Sequence, residues 1–414
     1  MRQKVAQRVA ETVLRSSRES SKSASPAAGT AGVPLYRQAL GLMGTPALKG
    51  NRMVLLHDYG SVFDAWVKSI DSAEESCRLS FYIWHEGGRV DDVMAALLRA
   101  CGRGVTCRVL VDAVGSKAFL KGKRVQALRT AGVEVVEVLP PSFHHRADLR
   151  YHRKIVVIDD HIGYTGSQNM VDPHFFKQES GVGPWVDAVV QIEGPAITLL
   201  ANIFELDWCV ETGTAFEAPE SWTDKTEGDL PDGDLVQVVP SGPAPYPDAI
   251  HQLLLTAIYS ARQTLTLTTP YFVPDEAVLT ALFSAALSGV EVTLIVPSKN
   301  DSFLVRYASV ANFDELMEAG VRIAFFQGGL LHTKSMVVDG IMSLFGSVNL
   351  DMRSFWLDFE DSLLVYGSEF AALIIKLQQD YLTRSIFVDA GIWRKRPAHR
   401  RYLENAIRLL GPLL

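Results

Sequence analysis

Tyr151–Asp172 reads YHRKIVVIDDHIGYTGSQNMVD, and its chemistry returns at Leu331–Arg353 as LHTKSMVVDGIMSLFGSVNLDMR. Each copy runs His-x-Lys, four residues, Asp, then Gly-Ser-x-Asn. In the first copy the residues are His152, Lys154, Asp159, Gly166, Ser167 and Asn169. In the second they are His332, Lys334, Asp339, Gly346, Ser347 and Asn349, every one at the same offset. A lone His-x-Lys is a common accident of a protein surface. Two spaced sets in one register are a duplicated site.

The runs IVVID and SMVVD are short, β-branched and apolar, which predicts buried strands. Side chains alternate faces along a strand, so His152 shares a face with Lys154, and His332 with Lys334. An imidazole beside an ammonium suits a phosphoryl group: the lysine neutralises oxygen charge while the histidine attacks or passes protons. Ser and Asn of Gly-Ser-x-Asn also share a face if extended, and offer neutral donors to the same oxygens. Asp159 and Asp339 stand an odd number of residues from their histidines. They are read as structural members of the motif, fixing a loop rather than acting as bases. Two facing halves put one histidine on either side of a phosphorus, as in-line displacement at a phosphodiester requires.

The doubled motif resembles the phospholipase D superfamily. Its flanks GNRMVLLHDYG, RADLRYHRKIVVID, YTGSQNMVDP, TPYFVPDE and GSVNLDMRSF are similar to bacterial-type cardiolipin synthases, from about Gly50 to Leu414. The resemblance implies that one histidine forms a covalent phosphohistidine while the other protonates the departing alcohol. By the family's usual order His152 is the nucleophile and His332 the acid/base. Lys154, Lys334, Asn169 and Asn349 are then expected on the phosphate oxygens, supported by Ser167 and Ser347. The resemblance further assigns Glu360, in DFED, to orient His332, and Asp187, in PWVDAVV, to orient His152. It implies an anionic phospholipid substrate, phosphatidylglycerol, at a membrane surface. No metal-ligand set is apparent, and no cofactor is expected.

The 414 residues suggest roughly two to three domains with large cores. Apolar content of 48% and charged content of 21% are those of a globular protein. A formal net charge of −7 argues against wholesale nucleic-acid binding, without excluding a local basic cleft. Cys77, Cys101, Cys107 and Cys209 form no C-x-x-C pair and read as reduced thiols. No run reaches the ~18 apolar residues of a spanning helix, and the N-terminus lacks the apolar core of a secretory signal. Many relatives begin with two spanning helices, so the expected attachment is peripheral, on the cytoplasmic face of the cell membrane.

Met1 to Lys22 combines valines and alanines with Arg2, Lys4, Arg8, Arg15, Arg18 and Lys22. It is open to three readings: an interfacial helix on anionic lipid, a weakly ordered tail, or a targeting peptide. Ser20 to Gly32 has linker composition. Strands then alternate with helices through 46–212, an acidic Pro/Gly-rich stretch follows at 213–234, and the order repeats through 235–414. The expected organisation is thus a tail to residue 45, two phospholipase D-like domains and an acidic linker. The expected fold class is α/β, a mixed αβα sandwich in two repeats packed as a pseudo-twofold pair with one site at their interface. Ser302 to Ala319 is expected as one helix.

Around the motifs, Arg146, Arg150 and Arg353 are candidates to meet a head group or to form structural ion pairs. Phe175, Phe176 and Trp185 are candidates to rim the cleft or to pack beneath the loop. His144 and His145 are expected exposed, and His57, His161, His174 and His251 at the surface or core edge. The leading expectation is cardiolipin synthesis from two phosphatidylglycerol molecules. Hydrolysis, transfer to another alcohol, a nuclease and a non-catalytic scaffold are the competitors, the last disfavoured by two intact motifs.

Overall fold

A computed structural model of the protein describes residues 24–27, 32–141, 148–216, 233–243 and 247–408. The basic N-terminal segment to Lys22, His144, His145, Arg146 and most of the acidic stretch 213–234 lie outside these residues. Among the described residues sixteen strands join into one mixed sheet. From one edge inward the first repeat orders Glu134–Val138, Thr106–Asp112, Ser76–Phe81, Ile155–Ile158, Ile162–Gly166, Val189–Glu193 and Ala47–Leu56. From the opposite edge, inside the short antiparallel strand Ser385–Phe387, the second repeat orders Arg322–Phe326, Glu291–Pro297, Thr264–Thr268, Lys334–Val338, Met342–Gly346, Asp358–Tyr366 and Asp234–Ser241. Each repeat has three parallel strands, then antiparallel ones beginning at the His-x-Lys strand. The innermost strands, Ala47–Leu56 and Asp234–Ser241, pair antiparallel and fuse the two repeats.

Helices cover both faces, as an αβα arrangement requires. Helix Tyr59–Ser72 starts at Asp58, whose carboxylate accepts from Ser61 N at 2.9 Å. Its Val62, Phe63, Trp66 and Ile70 recur at helical spacing and are buried, each worth roughly 1.5–3 kcal/mol of hydrophobic stabilisation. On the other face, helices Ala196–Thr212 and Ser368–Thr383 build a core that belongs to both repeats. Ile155, Val157 and Leu200 of the first pack there with Val337, Phe345 and Ile374 of the second. The interface is therefore continuous hydrophobic interior, which holds the two His-x-Lys strands in fixed relation.

Two segments depart from the sequence expectation. Helix Gly32–Met43 falls within the stretch expected as tail, yet Leu35, Tyr36, Ala39 and Met43 recur on one face and enter the core of the second repeat. The segment expected as one helix from Ser302 is broken into Phe303–Val310 and Phe313–Glu318. Asn312 at the break is buried, and the turn it makes carries Phe313 fully into the core.

Two very short parallel pairings cross between repeats. Arg150–Tyr151 pairs with Asp358–Phe359, in the register Asp358 to Arg150 and Phe359 to Tyr151. Leu330–Leu331 pairs with Trp185–Val186, in the register Leu330 to Trp185 and Leu331 to Val186. Each pairing ends one residue before a histidine on one side and one residue before an acid on the other.

Candidate active site

Those registers decide which acid meets which histidine. One step beyond Phe359 and Tyr151 come Glu360 and His152, with Nδ1 and Oε2 2.7 Å apart. One step beyond Val186 and Leu331 come Asp187 and His332, with Nδ1 and Oδ1 2.6 Å apart. The expected assignment of Glu360 to His332 and Asp187 to His152 is therefore corrected: each histidine is held by the acid of the other repeat. The cross-repeat strand pairs fix this exchange through the backbone, since His152 N donates to Phe359 O at 2.8 Å and His332 N to Val186 O at 2.8 Å.

Both lysines lie on the face of their histidine, as alternation predicts. Lys154 Nζ donates to His152 O at 2.5 Å, and Lys334 Nζ to His332 O at 2.7 Å. Lys334 Nζ also stands 2.9 Å from His332 Nε2. An ammonium can only donate, so Nε2 accepts and the ring proton sits on Nδ1, pointing at Asp187. All four side chains are buried.

The aspartates of the two motifs are at the far end of their strands, away from this chemistry. Asp159 accepts from Glu74 N, Glu75 N and Ser76 N at 2.8, 2.9 and 2.7 Å. Asp339 does the same for Arg262 N, Gln263 N and Thr264 N at 2.9, 2.7 and 2.9 Å. Each therefore pins the loop before the adjacent strand, away from the reacting groups. Burial alone would raise the Asp159 pKa, but the three N–H groups hold it below the ordinary carboxylate value.

Gly166 and Gly346 are required by close approach. A Cβ at either position would collide with the backbone of Ala188 or Asp361, respectively. The serines that follow are spent on the neighbouring strand rather than free for a phosphate. Ser167 Oγ donates to Asp187 Oδ1 at 2.6 Å, and Ser347 Oγ to Asp361 O at 3.0 Å. Their expected place on the phosphate oxygens is corrected to support of the acid strands. The asparagines differ: Asn169 accepts from Ile83 N at 3.1 Å, while its buried Nδ2 finds no protein partner, nor does the buried Asn349 Oδ1. An unpaired buried amide group is costly, which suits one that meets a ligand.

Burial pushes the His152 pKa well below the usual imidazole value, and the ammoniums of Lys154 and Lys334 add to it. His332 is lowered to about 4 by burial and by Lys334, against the pull of Asp187. Lys154 is lowered by burial, and Lys334 by burial to about 7. Both histidines are thus neutral nucleophile or base candidates in the unliganded site, with positive charge from the lysines awaiting an anion. The acids differ. Burial raises Glu360 to about 7, whereas burial of Asp187 is overcome by His332 and Lys334, which hold it below its ordinary value.

Sequence reasoning missed three contributors. Asp361 accepts from Lys154 N at 3.1 Å and from the Thr165 hydroxyl. Tyr82 stands edge-on to His152 with ring centroids 4.9 Å apart, and Tyr271 edge-on to His332 at 6.4 Å. The shared position of these tyrosines, just past corresponding strands of the two repeats, was the available signal. Trp185 lies 4.4 Å from the His332 ring and is buried with Phe176, whereas Phe175 is exposed. Arg353 donates to Asp148 O at 2.6 Å and Asp358 Oδ1 at 3.3 Å, and Arg150 to Leu149 O at 2.6 Å. His57, His161 and His174 are exposed, and His251 pairs with Asp275 at the core edge.

The family model described as cardiolipin synthase, phospholipase D-like domain, matches residues 66–208 and 254–381, one match in each repeat. The chain belongs to this family. Cardiolipin synthase A of Yersinia pseudotuberculosis is 46% identical over 385 residues, covering 92% of this chain and 79% of the relative. Cardiolipin synthase A of Yersinia pestis matches at the same identity and coverage. Among solved structures, phosphatidylserine synthase of Haemophilus influenzae superposes with a TM-score of 0.69 at 16% identity, covering 92% of this chain and 100% of that one. That likeness concerns the fold alone.

Proposed function

We propose that this member of the cardiolipin synthase family transfers a phosphatidyl group between two phosphatidylglycerol molecules, giving cardiolipin and glycerol. The observation that carries the mechanism is the pair of buried histidines, each held through Nδ1 by a carboxylate of the opposite repeat. With Nδ1–H so engaged, Nε2 is the reactive atom of each ring.

His152 Nε2 attacks the phosphorus of the first lipid while Lys154, Lys334, Asn169 and Asn349 hold the non-bridging oxygens. The bound anion offsets the two ammoniums, so His332 Nε2, neutral in the unliganded site, takes up a proton from solvent as the lipid phosphate enters, and ionised Asp187 stabilises the charge it acquires. Protonated His332 gives its Nε2 proton to the departing glycerol oxygen as the P–O bond breaks, leaving phosphatidyl-His152. The hydroxyl of a second phosphatidylglycerol enters, returns its proton to His332 Nε2, and displaces His152 to form cardiolipin. General acid–base assistance of this kind contributes about 10²–10⁴-fold. The contrast between depressed Asp187 and raised Glu360 supports this order, since the ring that must carry positive charge stands beside the ionised acid. Water exclusion by the buried walls favours the lipid alcohol over hydrolysis.

The reading includes a peripheral, cytoplasmic-face association with the membrane. Among the described residues no helix is long and apolar enough to cross one. It also treats 46–212 and 235–414 as the two catalytic repeats joined by 213–234. The test is purified protein on phosphatidylglycerol vesicles with EDTA, with products resolved by mass spectrometry beside His152→Ala and His332→Ala. Cardiolipin and glycerol are expected from the native chain alone. Phosphatidic acid without cardiolipin makes the enzyme a hydrolase, and no lipid turnover removes the reading.

A further inference from the structure

Beside the rings that contact His332, an ion pair joins the repeats: Lys177 Nζ lies 3.0 Å from Asp301 Oδ2. Asp301 also accepts from Tyr271 OH at 3.0 Å, and the Tyr271 ring faces His332. On the first-repeat side the Lys177 ammonium sits 5.5 Å over Phe176 and 5.6 Å over Trp185, the ring that covers His332. The bridge is therefore tied to the reacting histidine from both repeats. Two residues before Lys177 stands Phe175, 59% exposed, its ring laid against Gly87 and Gly88. Two residues after Asp301 stands Phe303, 60% exposed, followed by Leu304 at 40%. Phe303 opens helix Phe303–Val310, capped by Ser302 and braced by Tyr307 at 4.6 Å between ring centroids. Single exposed apolar residues are ordinary, but aromatic side chains on both flanks of one active-site bridge call for a partner.

We propose that Phe175, Phe303 and Leu304 form a two-sided apolar rim that seats the mouth of the site on an anionic phospholipid bilayer. This rests on the reading of the substrate as phosphatidylglycerol. The occupant follows from charge and continuity. Asp301 is engaged by Lys177 and Tyr271, which leaves Lys299 and exposed Arg306 as cations on the second-repeat side. On the first, Glu179 is exposed, while the carboxylates around Gly87 and Gly88 are paired, Asp64 and Asp92 with Arg89, and Glu86 and Asp91 with Arg124. Among the described residues Lys299 Nζ donates only to the Gly181 carbonyl, at 3.4 Å, and Arg306 makes no ion pair with a carboxylate. Aromatic rings at the acyl boundary with cations at the head groups are the chemistry of an interfacial contact. A lipid held by this rim has its phosphate within reach of the site while its acyl chains stay in the bilayer.

The test compares the full chain with the triple variant Phe175→Ser, Phe303→Ser, Leu304→Ser. Flotation with phosphatidylglycerol vesicles should fall by about tenfold or more, the scale expected for losing partly buried apolar side chains. Cardiolipin formation in those vesicles should fall with it, while turnover of short-chain phosphatidylglycerol dispersed as monomers stays unchanged. Equal loss on the monomeric lipid would make these residues part of the catalytic framework and overturn the proposal, as would native binding and vesicle turnover by the variant. A native dimer that the variant dissociates with vesicle binding intact would assign the rim to a second copy instead. F303C carrying an environment-sensitive fluorophore, read against the labelled unsubstituted chain, should shift to the blue on phosphatidylglycerol vesicles; no shift sinks the idea. If the native chain floats, the variant does not, and neither makes cardiolipin from any form of the lipid, the catalytic reading falls and the docking rim stands.

Discussion

On the His152 side of the site, burial raises Glu360 to about 7, and Asp361, raised to about 6, takes the Lys154 amide. On the His332 side, Asp187 is held below its ordinary value, and Ala188 occupies the position of Asp361. The correspondence is structural: Ser167 N donates to Ala188 O and Ser347 N to Asp361 O, both at 2.9 Å. One backbone plan thus carries two electrostatic settings. The shared plan supplies paired histidines in fixed relation, and the proposed division of their roles rests on the difference between the acids. A lone neutral imidazole serves an attacking nitrogen, while an imidazole beside a firmly ionised carboxylate serves a proton carrier.

The largest effects should separate the two histidines. His152→Ala is expected to abolish both transfer and covalent labelling. His332→Ala is expected to slow turnover of phosphatidylglycerol by about 10²–10⁴-fold, the usual range for a lost general acid. It should still form the covalent intermediate from a phosphodiester whose leaving group is p-nitrophenolate, which departs without a proton. Intact-mass analysis after a short pulse reads this directly. Labelling that survives in His152→Ala and vanishes in His332→Ala would exchange the two roles.

The acids come next. Asp187→Asn should reduce kcat/KM by about 10³-fold or more, because a neutral amide no longer stabilises the His332 imidazolium. Glu360→Gln should cost about 10–100-fold, since Gln Oε1 still accepts the His152 Nδ1 proton. Equal losses would remove the asymmetry. The same contrast has a stability readout. Glu360 is raised in the folded state, so between about 4.5 and 7 the folded chain binds more protons than the unfolded chain, and stability falls as pH rises through that window. Glu360→Gln removes this term. Its Tm should gain on the native chain as pH rises from 4.5 to 8, and a constant difference would contradict the assignment.

Asp361→Ala gives the second repeat the residue of the first. The Lys154 amide and the Thr165 hydroxyl lose a buried acceptor, at a cost of about 1–3 kcal/mol measured by denaturant unfolding. Asp361 also raises the Lys154 pKa, so its removal should shift the alkaline limb of the kcat/KM profile to lower pH. An unmoved limb would mean that Lys154 is not the group titrating there.

The strands, the duplication and the common face of His and Lys were legible because they follow from local periodicity. The exchange of Glu360 and Asp187 was not, since it depends on the Arg150–Tyr151 and Leu330–Leu331 pairings, which are long-range and only two residues each. Ser167 and Ser347 look like phosphate donors on the pleat alone. Their hydroxyls are claimed by an adjacent strand whose register the chain does not announce. Asp361 hid in DFED for the same reason: four residues that read as one acidic run place Asp358, Glu360 and Asp361 in separate surroundings. Helix Gly32–Met43 was obscured by its neighbourhood, a linker-like composition ending where an amphipathic face begins.

The smallest contrast is expected where the repeats agree. Asp159 and Asp339 each gather three backbone N–H groups at the turn after the His-x-Lys strand, and each adopts a positive φ, 49° and 51°. The groups they collect lead into the adjacent strand, two from the turn before it and one from its first residue, in Ser76–Phe81 of one repeat and Thr264–Thr268 of the other. Each aspartate therefore fixes where two central strands meet, at the end opposite the histidine. Asp159→Ala and Asp339→Ala should each destabilise by about 1–3 kcal/mol, and by similar amounts. Their kcat/KM should stay within a few-fold of native, measured well below the melting transition. Asp159 has a depressed pKa, so its contribution is complete above the unfolded value near 4 and is lost on acidification. The Tm difference between Asp159→Ala and the native chain should accordingly narrow as pH falls through that region. A loss of activity far exceeding the loss of stability in either variant would place the aspartate back in the chemistry, and unequal stability losses would extend the asymmetry of the site to the scaffold beneath it.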